Sequence, residues 1–207
     1  MRPLYLALSL ILLLSCAKRS FVPIPDGYRI DAKNSAVIYT DRYVTIQVRT
    51  NSWDGYPSSL EERLLPLYIE ILNRTDEPIK INRIVLLDDT GTQYNPLSPE
   101  SASRVASGYS VGLSLGLGYG VHHGLGWFGG MPARDYGEDI VNRAFIPGEI
   151  LPGAKLKGFL YFQKLPDKVN RITLRVMYSI GFQSESVNFY FKVKDEEGDN
   201  NGNKEGR

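Results

Sequence analysis

Apolar residues recur at every second position in four separate stretches of the chain. Val44, Ile46 and Val48 alternate with Thr45, Gln47 and Arg49, and Leu67, Ile69 and Ile71 alternate with Tyr68, Glu70 and Leu72. Ile172, Leu174, Val176 and Tyr178 follow the same rule, as do Val187, Phe189, Phe191 and Val193. Successive side chains of a strand point to opposite faces, so each stretch offers one face to a core and one to water. One-sided burial of this kind belongs to antiparallel sheets. Apolar runs at 84–87 and 158–162 read as more deeply buried strands, and 36–39 adds another. Turn signals lie between them: the Asn73-Arg74-Thr75-Asp76-Glu77-Pro78 run, Asp88-Asp89-Thr90-Gly91, Pro147-Gly148, Pro152-Gly153 and Pro166-Asp167. The one helix candidate nearby is 58–65, ended by Pro66. Seven or eight short strands broken by turns predict an all-β chain, an antiparallel β-sandwich.

Two segments carry a resemblance. The stretch from Leu67 through Asn73 to Pro78-Ile79 resembles the "strand, Asn, polar turn, Pro-Ile" hairpin of small secreted immunoglobulin-like domains. Gly148-Glu149-Ile150-Leu151-Pro152-Gly153, followed by Gly158-Phe159-Leu160-Tyr161-Phe162, resembles their later Pro-Gly turn and buried strand. The resemblance implies an immunoglobulin-like sandwich over 27–194. Such domains serve as accessory and binding modules and share no catalytic motif, so the likeness informs fold more than function.

The first fifteen residues stand outside this pattern. Arg2 gives a positive start, and an apolar run from Leu4 to Leu14 ends at Ser15-Cys16. Charge, short apolar run and small residue in that order make a secretory signal, too short for a permanent membrane span. Its end, Leu13-Leu14-Ser15-Cys16, resembles the lipobox of bacterial lipoproteins. That resemblance implies cleavage before Cys16, a diacylglycerol on its thiol and an acyl chain on its new amine. With Ala17 rather than Asp next, it also implies the periplasmic face of the outer membrane in a Gram-negative host. Residues 16–26, with Pro23 and Pro25, read as a tether.

Cys16 is the only cysteine, which excludes an internal disulfide and a cysteine-based metal cluster. Lys and Arg number 24 against 23 Asp and Glu, so no basic surface calls for nucleic acid. Removing 1–15 takes away Arg2 alone and leaves the remainder neutral. Export argues against nucleotide-dependent chemistry, and no cofactor is called for. Residues 195–207 hold five acidic and two basic residues among Gly and Asn, and read as a solvated, disordered tail.

Arg104 and Arg134 bracket 29 residues without a formal charge. This insertion, 104–134, carries Gly108, Gly112, Gly116, Gly120 and Gly124 at a spacing of four. On a helix they would line one flat face, as in the glycine-zipper segments of envelope lipoproteins that the stretch resembles. The same residues alternate: Val111, Leu113, Leu115, Leu117, Tyr119 and Val121 interleave with Gly, Ser and His, which suits a strand with one bare face. Each glycine costs a water-exposed helix about 1 kcal/mol relative to Ala. A loop or hairpin on the sandwich, a packed or self-associating helix and a membrane-contacting strand all remain open. In each case these five glycines mark the contact with a partner or membrane.

Other motifs are chemical in appearance only. Gly124-Leu125-Gly126-Trp127-Phe128-Gly129 matches a dinucleotide fingerprint but lacks the strand–turn–helix setting that makes one. His122 and His123 are adjacent, so they point apart and do not converge on a metal. Glu61-Glu62 and the group Asp135, Glu138 and Asp139 read as solvated charge. Trp53, Tyr56, Tyr28, Tyr39 and Tyr43 are candidates for a carbohydrate or peptide groove. The residues therefore point to a lipid-anchored, non-catalytic cell-envelope module with no catalytic or metal site. It would meet the membrane through Cys16 and another envelope protein, or itself, through the glycine segment. A hydrolase of cell-wall or surface polysaccharide, working through a carboxylate pair, is the other reading.

Overall fold

Every alternating stretch is a strand, and the inward-facing residues of two sheets close on each other. A computed structural model describes residues 18–107 and 137–196, with side chains for 19–107 and 137–194. In chain order the elements are β1 (Lys18–Pro23), β2 (Arg29–Asp31), β3 (Ala36–Thr40), β4 (Val44–Arg49), β5 (Leu64–Asn73), β6 (Ile79–Asp88) and β7 (Gln93–Tyr94). Two short helices follow, α1 (Pro99–Ala106) and α2 (Glu138–Asn142), then β8 (Glu149–Ile150), β9 (Lys155–Gln163), β10 (Arg171–Ile180) and β11 (Gln183–Glu196). The first sheet runs β1-β11-β10-β6-β7, with β8 also paired to β6; the second runs β2-β3-β4-β5-β9. All strand pairs are antiparallel. The fold is an all-β, immunoglobulin-like sandwich.

Between the sheets lie Val44, Ile46 and Val48 from β4, Leu67, Ile69 and Ile71 from β5, and Leu174, Val176 and Phe189 from β10 and β11. Each is fully buried, and such side chains contribute about 1.5–3 kcal/mol apiece. The run 84–87 does not alternate in phase with 79–81 because β6 is bulged. The register against β10 slips between Met177 and Tyr178, which leaves Asn82 unmatched and brings both Ile81 and Ile84 inward.

Polar residues fix the two ends. Distally, Asp41 accepts N–H bonds from Tyr43 and Val44 at 2.7 Å on one oxygen. Its other oxygen takes the hydroxyls of Tyr39 at 2.9 Å and of Tyr178, from the opposite sheet, at 3.3 Å. Burial, and then the Asp41 carboxylate, pushes the Tyr39 phenol up to about 12. The nearby β10–β11 hairpin turns on Gly181, whose φ of +52° suits glycine, and it carries a fully exposed Phe182. Asn73 is wholly buried where β5 crosses from one sheet to β6 in the other. Its amide donates to the carbonyls of Glu77 (2.7 Å) and Ile150 (2.9 Å), and its oxygen accepts the N–H and hydroxyl of Thr75 (both 2.8 Å).

Five expectations need correction. Residues 18–23 are a strand rather than part of a tether, because Lys18–Pro23 pair in register with Phe191–Glu196. Asp195 and Glu196 belong to β11 rather than to a tail, since they pair with Arg19 and Lys18. Eleven strands replace seven or eight among the described residues; the additions β1, β2, β7 and β8 are six residues or fewer and lie at sheet edges. The helix proposed over 58–65 shrinks to one 3-10 turn at Leu60–Glu62, and β5 runs straight through Pro66. The Asn73–Pro78 turn joins strands of different sheets, so it is a crossover and not a hairpin.

Asn73→Ala should lower stability by about 2 kcal/mol or more, because it removes the hydrogen bonds that join two crossovers, the buried one to the Ile150 carbonyl among them. Urea unfolding should show a lower midpoint with an unchanged slope.

Candidate functional site

Beta-strands 5 and 9 are buried on both faces, which is where the sandwich departs from a simple two-layer design. Inward go Leu67, Ile69, Leu160 and Phe162; outward go Leu64, Phe159 and Tyr161. The outward set is covered by Leu60, by Ala102 and Ala106 of α1 and by Ile140 of α2. Alpha-helix 1 starts with Ser98, whose hydroxyl accepts the Ser101 N–H at 3.2 Å, followed by Pro99 in the first turn. Its last turn is held by Arg63, which donates to the Ala106 carbonyl at 3.0 Å. The glycine-rich insertion therefore leaves from one helix and returns through another, both seated on the outer face of the second sheet.

Beside these helices Trp53 packs edge-on against Phe159 and Tyr161, with ring centroids 5.0 and 6.0 Å apart, and Tyr68 meets Phe159 at 5.4 Å. Arg49 lies 4.0 Å over the Tyr68 ring. The Trp53 indole N–H donates to the Pro57 carbonyl at 2.8 Å, and the Tyr161 hydroxyl to the Ile140 carbonyl at 3.0 Å. Burial pushes the Tyr161 phenol well up, so it stays a proton-bearing donor to that carbonyl. Arg143 pairs with Asp54 and lies 4.0 Å from Asp139, whose other contact is the Tyr56 N–H at 2.7 Å. These two carboxylates thus share one guanidinium and clamp the 53–57 loop to α2. Away from this clamp, two carboxylates are held below their ordinary range, Asp31 by the Asn34 amide and Glu100 by its own backbone N–H. At Asp88 burial pushes upward but is outweighed by the Thr90 hydroxyl, the Thr92 N–H and the Tyr94 hydroxyl, which hold it at about 2. A general acid needs the opposite displacement.

The free edge of β9 is covered as well. Phe159 exchanges backbone bonds with residues 143–145, donating to Arg143 (2.7 Å) and accepting from Phe145 (2.8 Å), while the Tyr161 carbonyl accepts from Leu97 (2.7 Å). Gly158 makes this approach possible: a Cβ there would stand 2.6–2.7 Å from backbone atoms of Ala144 and Phe145.

A groove of about 560 Å³ opens at the proximal end, where β1 begins. Phe21 forms one wall, Leu64, Leu65 and Pro66 another, and Ser58, Ser59, Glu61, Glu62 and Lys164 surround its mouth. It exists because β4 stops at Arg49, opposite Tyr68, so the first residues of β5 pair with β9 on one side and have no strand on the other. The Tyr161 carbonyl points away from β5, which makes Pro66–Tyr161 a non-hydrogen-bonded pair and turns the backbone of Pro66 toward the groove. The missing proline N–H thus falls on the unpaired side, where a strand tolerates it. Across the groove, Arg19 fixes β1: its guanidinium donates to the carbonyls of Leu165, Pro166, Asp167 and Val169 at 2.8–3.3 Å. Asn51 pairs with the backbone of Phe21 on both sides, accepting its N–H and donating to its carbonyl at 3.3 Å.

Cys16 and Gly108, Gly112, Gly116, Gly120 and Gly124 lie outside the described residues, as do His122, His123, Asp135 and the Gly124–Gly129 motif. The proposed aromatic groove does not assemble. Trp53 sits on the outer face of the second sheet, whereas Tyr28, Tyr39 and Tyr43 pack against the inter-sheet core. Glu61 and Glu62 stand at the groove mouth, and Asp139 carries a structural clamp. The Ser98-Pro99 pair was a readable start signal for α1; nothing in the sequence marked Arg19 or Gly158 as packing residues. Among the described residues no group of three or more His, Cys, Asp or Glu is placed to hold a metal ion. No protein-family model matches the chain, and no curated protein is significantly similar to it.

Gly158→Ala should drive residues 144–145 off the edge of β9 and loosen the Trp53 cluster. A loss of about 1–3 kcal/mol is expected, with a red-shifted tryptophan emission as the local readout.

Proposed function

We propose that the chain is a lipid-anchored cell-envelope protein, a non-catalytic binding or structural module whose glycine-rich insertion contacts a partner or membrane. The observation that carries this reading is the place of Cys16, at the end of a secretory apolar run and two residues before the first strand of the sandwich. Two or more acyl chains on that residue anchor firmly where one would hold only marginally. Confinement to a surface raises effective concentration, so weak contacts suffice for assembly. The seating of both helices that flank the insertion supports its role as a presented element, held on a rigid face rather than on a loose loop. The carboxylates at this face are engaged in clamping the fold, which favours binding over hydrolysis.

Cys16→Ala should move the protein from the membrane to the soluble fraction and abolish incorporation of labelled fatty acid; retention on the membrane would refute the anchor. Replacing 108–136 by a short Gly/Ser linker preserves α1 and α2. The melting temperature should then stay near that of the full chain while in-cell cross-links to partners disappear. Unchanged cross-links would remove the insertion from the contact.

A further inference from the structure

The start of β1 is firmly held. Arg19 is tied to four carbonyls of the β9–β10 connection, and Phe21 is held by Asn51, so the first strand is fixed from its second residue. Cys16 stands three residues before Arg19, a separation that spans at most about 10 Å of extended chain. Arg19 and Phe21 both line the proximal groove. Whatever Cys16 carries is therefore attached within that reach of a residue that lines the cavity.

The chemistry of the cavity narrows its occupant. Its volume, about 560 Å³, falls in the range of small-molecule sites. The Pro66 backbone facing the groove has no N–H, so an added peptide strand would lack a donor in mid-ladder. The Arg19 guanidinium is already engaged by carbonyls, and Glu61 and Glu62 share the rim with Lys164, so the site is not built for an anion. The walls of Phe21, Leu64, Leu65 and Pro66 ask for an apolar chain that needs no hydrogen bonds.

We propose that one acyl chain carried by Cys16 lodges in the groove between β1 and the start of β5. This rests on the lipid-anchor reading. The groove shelters that chain when the protein is in water, and the bilayer competes for it when the protein is seated. Lipid and domain are then not independent parts joined by a tether: the domain covers part of its own anchor.

The test uses full-length protein from its producing cell, fed a fatty acid bearing a photoactivatable diazirine. After purification and irradiation, trypsin digestion should yield peptide 16–18 covalently joined through the lipid to peptide 64–74. Ser59→Trp narrows the mouth at a side chain that makes no capping bond, and should cut that joined pair by roughly tenfold (about 1.4 kcal/mol) while labelling of Cys16 persists. Labelled Cys16 with no joined pair overturns the groove and leaves the anchor standing. Persistence of the pair in Ser59→Trp at wild-type yield also overturns the groove. No label on Cys16 overturns both.

Discussion

One buried carboxamide holds together two of the places where the chain changes sheets. Asn73 ends β5 in the second sheet, and its side chain bonds both to the turn leading into β6 of the first and to the carbonyl of Ile150, where β8 hands the chain back to β9. Its own N–H donates to Ala154 in that second crossover. A sandwich needs such crossovers to lie close together, since unpaired backbone groups there cannot reach water. Asn supplies two donors and an acceptor in one rigid plane, so a single residue satisfies both connections. Thr50 does a smaller version of this at the other end, donating to the Phe21 carbonyl at 2.6 Å and drawing β1 onto the second sheet. Among the described residues these are the two buried polar ones, and both sit where sheets meet.

The second core follows from the same economy of edges. An exposed β9 edge beside an aromatic face would invite pairing with another chain. Residues 143–145 and Leu97 occupy that edge, and α1 and α2 cover the face. Gly158 removes the Cβ that would block the first, and Phe159 and Tyr161 supply the contact area for the second. The charged clamp of Asp54, Arg143 and Asp139 lies on the outside of this layer, partly exposed, and orients the 53–57 loop more than it stabilises it.

The sequence displayed the inter-sheet core almost residue by residue, because one-sided burial writes itself as a period of two. It was less readable wherever a strand is buried twice: Gly158 to Phe162 shows a continuous apolar run that does not say which residues face which core. Beta-strand 1 was hidden for another reason. Lys18-Arg19-Ser20-Phe21-Val22-Pro23 has no alternation to speak of, and its pairing is decided by Thr50, Asn51 and β11, far away in sequence. Pro66 misled because a proline usually ends an element, whereas here its missing N–H falls on a side with no neighbour. The groove followed from that same unpaired stretch, so neither was visible without the register.

The pairing of β1 with β11 has a consequence for how the fold is reached. The first sheet joins the earliest described strand to the latest, at a sequence separation approaching the whole length of the domain. Closing so long a loop is an entropic cost met only once its far partner exists, and contacts of this kind slow folding. During synthesis the sheet cannot be completed until residues near 196 have emerged. The first sheet is thus the later of the two that can be completed, since every strand of the second lies between residues 29 and 163.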